Sequence, residues 1–203
     1  MIEKIALSVA VYFADKSAYK RDDVDTYKYG FELLFSTIFN ITSIMIISFF
    51  MQIAFEGILF LISVISLRVT AGGYHAKGHG LCFLVNNMTY ILFVVLLQYL
   101  FVNYLIHYSF FSVIAALTII WFLSPIEAEN KPLSEMKKIR VRNKSLIIAF
   151  TNIVLVIIFA FIVKQGESLL AYYISGMLAA SLSLVAAKIN NSKVPHKSYK
   201  SNF

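Results

Sequence analysis

Six long apolar runs, at about 33 to 52, 53 to 67, 81 to 102, 104 to 123, 145 to 163 and 169 to 187, occupy most of this 203-residue chain. A helix crossing a hydrocarbon core about 30 Å thick needs about 20 such residues, and lipid offers the backbone no hydrogen-bond partners. Runs of this length therefore predict helices. The composition agrees, since 59% of the residues are hydrophobic and 14% charged, where a soluble domain carries about 25% charged. The expected fold is all-α, a polytopic membrane protein of about six transmembrane helices. It is read as one domain, 1–203, with a charged segment at 1–32, a helix bundle at 33–187 and a tail at 188–203.

The first 32 residues hold 11 charged groups, unlike the short basic start and apolar core of a cleavable signal peptide. They are expected to remain in the mature protein. Ile2, Ile5, Val9, Tyr12 and Phe13 recur near helical spacing among Glu3, Lys4, Asp15 and Lys16. That pattern predicts an N-terminal interfacial amphipathic helix, with a surface helix packed on the bundle as the plain alternative.

Charge sets the expected orientation. Of 18 Lys and Arg residues, 17 fall in alternate segments, namely 1–32, 68–80, 124–144 and 188–203 together, against Lys164 alone on the other side. Basic loops stay in the cytoplasm, so both termini are expected there. The basic stretch 131–144 reads first as orientation and binding to membrane lipid. Attraction of an acidic partner is the second reading. No nucleic-acid pattern and no phosphate-binding glycine loop is present, so neither nucleic acid nor a cofactor is expected.

The second run is too short to cross unless it continues through Arg68, and it carries Glu56. Directly after it, residues 68–82 contain four glycines, His75, His79 and the only cysteine, Cys82. Three readings compete for this stretch. His75 and His79 are spaced four apart as metal ligands on one helical face would be. The place of a metalloprotease glutamate is taken by Ala76, however, so no metal is expected. A structural reading treats the glycines as helix contacts and Cys82 as a small buried hydrophobe. Against it, adjacent Gly72 and Gly73 break a helix, and irregular backbone in so apolar a chain must line a cavity.

The third reading makes Cys82 a nucleophile and His75 its base. On one continuous helix the two would lie about 10.5 Å apart along the axis, too far for proton transfer. The segment must fold back, with Gly78 and Gly80 permitting the bend, His75 on a loop and Cys82 at the start of the third span. There the helix dipole would favour thiolate. Backbone N–H groups around Gly72 and Gly73 are candidates for an oxyanion hole. Asn86, Asn87 and Glu127 remain open as a group orienting His75.

Arg68, then Gly72-Gly73-Tyr74-His75-Ala76, then Cys82 six residues on, all between hydrophobic runs, resembles the AgrB family of bacterial quorum-sensing peptide processors. Size, charged N-terminal segment, span pattern and a basic loop with Lys131-Pro132 fit the same family. The resemblance implies a cysteine endopeptidase of the bacterial cell membrane. It would remove the C-terminal tail of an AgrD-like propeptide and support cyclisation to a thiolactone or lactone. It implies His75 and Cys82 as the catalytic pair and links Arg68 and Gly73 to activity. Gly72 joins them here as a supporting residue.

The main rival is a small multi-pass transporter, which should show broken or ionisable stretches in corresponding halves of the chain. Here they concentrate in one loop. A scaffold would tolerate loss of Cys82, and Asp22, Asp23 and Asp25 lack the spacing of a magnesium-diphosphate site. A homodimer is the expected assembly, being the commonest symmetric one.

Overall fold

The computed structural model describes residues 2–16, 24–72, 79–126, 135–162 and 166–193. The described residues form seven helices and no strand: α1 (Ile2–Lys16), α2 (Val24–Phe50), α3 (Ala54–Ala71), α4 (His79–Val95), α5 (Leu105–Leu123), α6 (Glu135–Ile162) and α7 (Glu167–Lys193). Helix α4 continues as a π-helical turn over Leu96–Leu100. All six helices from α2 to α7 are long and apolar enough to cross a membrane. The protein is an all-α, multi-pass membrane protein.

Several helices outrun the apolar sequence that defines their spans. α2 starts at Val24, α6 starts at Glu135 and α7 extends to Lys193. Hydropathy marks where lipid begins, whereas a helix continues into water as long as its backbone bonds are made. The short second run resolves in the same way. α3 carries on through Arg68 to Ala71, and its 18 residues reach about 27 Å. Glu56 lies in its first turn and Arg68 in its last, each beside the helix end whose partial charge it complements.

α7 is the central helix. Within its spanning window 56% of residues are buried, against 17% in those of α2, α5 and α6. It packs on α3, α5 and α6 and touches α4. Its small residues explain the position, because helices in lipid associate through close packing rather than a hydrophobic drive. A Cβ at Gly176 would stand 2.5 Å from the Phe60 carbonyl oxygen of α3, so only glycine permits this approach. Gly57 of α3 lies equally tight against Ser48 of α2.

Two apolar clusters flank the contact. One gathers Ile44, Phe60, Tyr90, Phe93, Val94 and Tyr172, and the other Leu67, Ala116, Ile120, Tyr173, Met177 and Leu184. Polar pins cross between helices: Ser48 Oγ and Tyr90 Oη at 2.6 Å, Tyr108 Oη and Ser175 Oγ at 2.7 Å, and Ser63 Oγ donating to the Tyr173 carbonyl at 2.7 Å. Tyr173 Oη donates to Asn152 Oδ1, which also accepts from Ser66 Oγ at 3.3 Å.

α1 packs on α2, and its buried positions are Ala6 and Ala10, one turn apart. Ile5 and Tyr12 of the expected stripe stay about half exposed, at 45% and 56%. The small alanines let α1 lie close to α2, which leaves Ile5, Leu7, Val11 and Tyr12 exposed. The turn from α2 to α3 is closed by the Ile53 N–H on the Ser48 carbonyl at 2.9 Å, across Gln52 at φ 60°. That left-handed conformation usually falls to glycine.

Candidate functional site

The end of α3 and the first turns of α4 are linked through the side chains of Arg68 and Asn86. α3 stops at Gly72, whose φ of 82° ends the helix and whose N–H closes on the Arg68 carbonyl at 3.2 Å. The Ile126 N–H, beyond the end of α5, donates to the Ala71 carbonyl at 3.4 Å. A Cβ on Gly72 would meet the Ile126 carbonyl oxygen at 3.0 Å. Glycine is needed here both for its left-handed φ and for this close approach. The Gly72 N–H is already spent inside the helix end, so its part in the fold is to terminate α3.

Cys82 sits in the first turn of α4, three residues after His79, and is half-buried. The helix therefore begins before Gly80, which lies inside α4 with open space where a Cβ would go. Gly80 is not part of the fold-back expected of it. One turn along α4, Asn86 Nδ2 approaches Cys82 Sγ at 3.7 Å. Arg68 Nη1 donates to Asn86 Oδ1 at 2.9 Å, and Asn86 Nδ2 also donates to Asn40 Oδ1 of α2 at 3.3 Å. Asn40 Nδ2 in turn donates to the Ser36 carbonyl at 2.8 Å.

Of the expected site residues, the fold thus brings Arg68, Gly72 and Cys82 to the facing ends of two consecutive helices. Gly73 and His75 lie outside the described residues, as do Glu127, Lys131 and Pro132. Asn87 faces elsewhere: it accepts from Ser43 Oγ at 2.8 Å and donates to the Phe83 carbonyl at 2.8 Å, pinning α4 to α2. Among the described residues, no three His, Cys, Asp or Glu side chains converge as metal ligands would. Asn40 escaped the sequence reading. Its signal was a carboxamide inside an otherwise apolar run, a position costly in lipid unless it is hydrogen-bonded.

The family model for accessory gene regulator B, AgrB, matches residues 6–185. The chain belongs to the AgrB family. Two curated relatives carry the same family name. AgrB-like protein 2 of Clostridium perfringens strain 13 is 27% identical over 191 residues, covering 87% of this chain and 81% of the relative. An AgrB-like protein of Clostridium perfringens strain SM101 is 26% identical over 161 residues, covering 72% and 71%. No solved structure matches. The AgrB match runs from within α1 to within α7, taking in Arg68, Gly72, Cys82 and Asn86. Membership fits a role in the agr quorum-sensing system.

Proposed function

We propose that this AgrB-family protein is a membrane cysteine endopeptidase that cuts an AgrD-like propeptide, with Cys82 as nucleophile and His75 as general base. One observation carries the reading: Arg68 and Cys82, on consecutive helices, are joined through Asn86. Residues 73–78, which include His75, join α3 to α4 in sequence. Because α3 ends at Gly72 and α4 begins at His79, His75 and Cys82 are not bound to the axial separation of about 10.5 Å that one continuous helix would impose. At a helix start the first backbone N–H groups have no partner within the helix, and they favour negative charge on sulfur or on a carbonyl oxygen.

The chemistry follows from the groups. The Cys82 sulfur attacks a propeptide carbonyl after His75 takes its proton. The C–N bond breaks, the imidazolium protonates the leaving amine of the tail, and the N-terminal part remains as a thioester on Cys82. A substrate thiol can then attack that thioester, closing a ring and restoring Cys82. One thioester replaces another, so no energy source is needed if water is kept away. By the basic-loop rule this end of the bundle faces the bacterial cytoplasm.

The test is cleavage of a matching AgrD-like propeptide by purified protein in lipid, read by mass spectrometry. Cys82→Ala and His75→Ala should each abolish cutting, while His79→Ala retains it. The N-terminal product should weigh one water less than the linear fragment. Cutting that survives in Cys82→Ala would overturn the reading.

A further inference from the structure

We infer that Asn86 is a positioning residue that couples Arg68 to Cys82, orienting the Cys82 sulfur and donating a hydrogen bond to it as it becomes the nucleophile. The inference rests on the reading of Cys82 as the nucleophile and adds a residue which that reading lacks.

The direction of each hydrogen bond is determined by the partners. Arginine has donors only, so its contact at 2.9 Å requires the oxygen of the Asn86 carboxamide to face α3. The nitrogen end must then face the other way. Asn40 donates through Nδ2 to the Ser36 carbonyl, which turns its own oxygen toward Asn86. The two N–H bonds of Asn86 therefore meet two acceptors, Asn40 Oδ1 at 3.3 Å and Cys82 Sγ at 3.7 Å.

A neutral thiol gains little from such a donor. A thiolate gains more, because hydrogen bonding to the charged form selects it. Arg68 polarises the same carboxamide from its oxygen side, which strengthens the N–H on the sulfur side. The path matters because α4 contains no Asp, Glu, Lys or Arg. Among the described residues, the charged group hydrogen-bonded into this cluster is Arg68 of α3, while α2 and α4 supply carboxamides.

A carboxamide that merely pinned three helices would show the same distances, so the test needs a readout that pinning would not move. Asn86→Asp keeps the size of the side chain and its bond to Arg68 but turns an acceptor oxygen toward Sγ. The full-length protein in lipid, without substrate, is alkylated with iodoacetamide between pH 6 and 10. Cys82 is the only cysteine, so the signal belongs to one group.

The expected result for Asn86→Asp is alkylation at least about tenfold slower at pH 7, with the pH profile displaced upward. Arg68→Met should slow alkylation in the same direction, about threefold or more, and Arg68→Lys should restore it. If Asn86→Asp does not assemble, the Arg68 pair carries the test with Asn86 in place. Wild-type alkylation profiles in both Asn86→Asp and Arg68→Met, or in Arg68→Met alone when Asn86→Asp does not assemble, overturn the inference. The propeptide assay is separate: a thiol that responds to Asn86 in a protein that cuts nothing removes the peptidase reading and keeps only the coupling of Asn86 to the Cys82 sulfur.

Discussion

Gly176 of α7 lies against Ser63 of α3 so closely that a Cβ would fall 1.9 Å from the serine Oγ and 2.5 Å from the Phe60 carbonyl oxygen. Ser63 itself donates to the Phe60 carbonyl within α3 and to the Tyr173 carbonyl of α7, so it cannot swing away without losing its bond between these helices. The obstacle at Phe60 is backbone. Gly176→Ala should therefore force the central helix pair apart and cost about 1 to 3 kcal/mol, the range for overpacking a tight interface. Thermal denaturation in a fixed detergent or lipid, followed by circular dichroism, measures it. An unchanged midpoint would show that α3 and α7 are not in this register.

The Tyr173–Asn152 hydrogen bond joins α7 to α6 inside the second apolar cluster. Asn152→Leu leaves the tyrosine hydroxyl and Ser66 without that acceptor. Interhelical hydrogen bonds in membranes are worth about 0.6 kcal/mol on average and up to about 2. A loss in that range is expected for Asn152→Leu, and a similar one for Tyr173→Phe. The double variant should fall well short of the sum, because both changes remove one shared bond. Full additivity in a double-mutant cycle would mean the two side chains do not interact.

Two glycines beside the site should behave oppositely. Gly72→Ala places a Cβ at φ 82° and 3.0 Å from the Ile126 carbonyl oxygen, a strain of about 1 to 2 kcal/mol. The strain falls on the turn that leads into residues 73–78, so propeptide cutting should drop at least about tenfold, with only a modest shift in melting. Gly80 sits in the first turn of α4, and a Cβ added there would meet no atom within 4 Å. Gly80→Ala should be neutral or stabilising by up to about 1 kcal/mol and keep activity. Equal activity in the two variants would remove Gly72 from the site.

Six spans were legible because lipid demands an apolar surface and leaves its mark in every crossing. Their ends were not, since Val24, Glu135 and Lys193 lie where the helix runs on beyond the apolar residues. The central place of α7 was also hidden. Its importance comes from Gly176, Ser175 and Ala180, small residues that weaken a hydropathy signal while allowing close packing. At the candidate site, the restart of helix just before Cys82 followed from the apolar run at 81, and Asn86 is one turn on from Cys82 by helical spacing alone. That Arg68 and Asn40 converge on Asn86 depends on how three helices pack, for which no local pattern exists.

Orientation can be decided by labelling. The turn after α4 contains Tyr104, and α7 begins at Glu167, while α6 begins at Glu135 beside Lys137, Lys138 and Arg140. Tyr104, Glu167 and Glu135 are all exposed, so a cysteine at each should be reachable and tolerated. In a Cys82→Ser background, Tyr104→Cys and Glu167→Cys are expected to react with an impermeant maleimide in intact cells. Glu135→Cys should react only after the membrane is opened. The expectation comes from the 17 of 18 basic residues that this orientation keeps on the cytoplasmic side. It also puts the facing ends of α3 and α4 where a newly made propeptide would arrive. The reverse pattern would place Arg68 and Cys82 at the outer face, and a substrate would then have to cross the membrane before it could be cut.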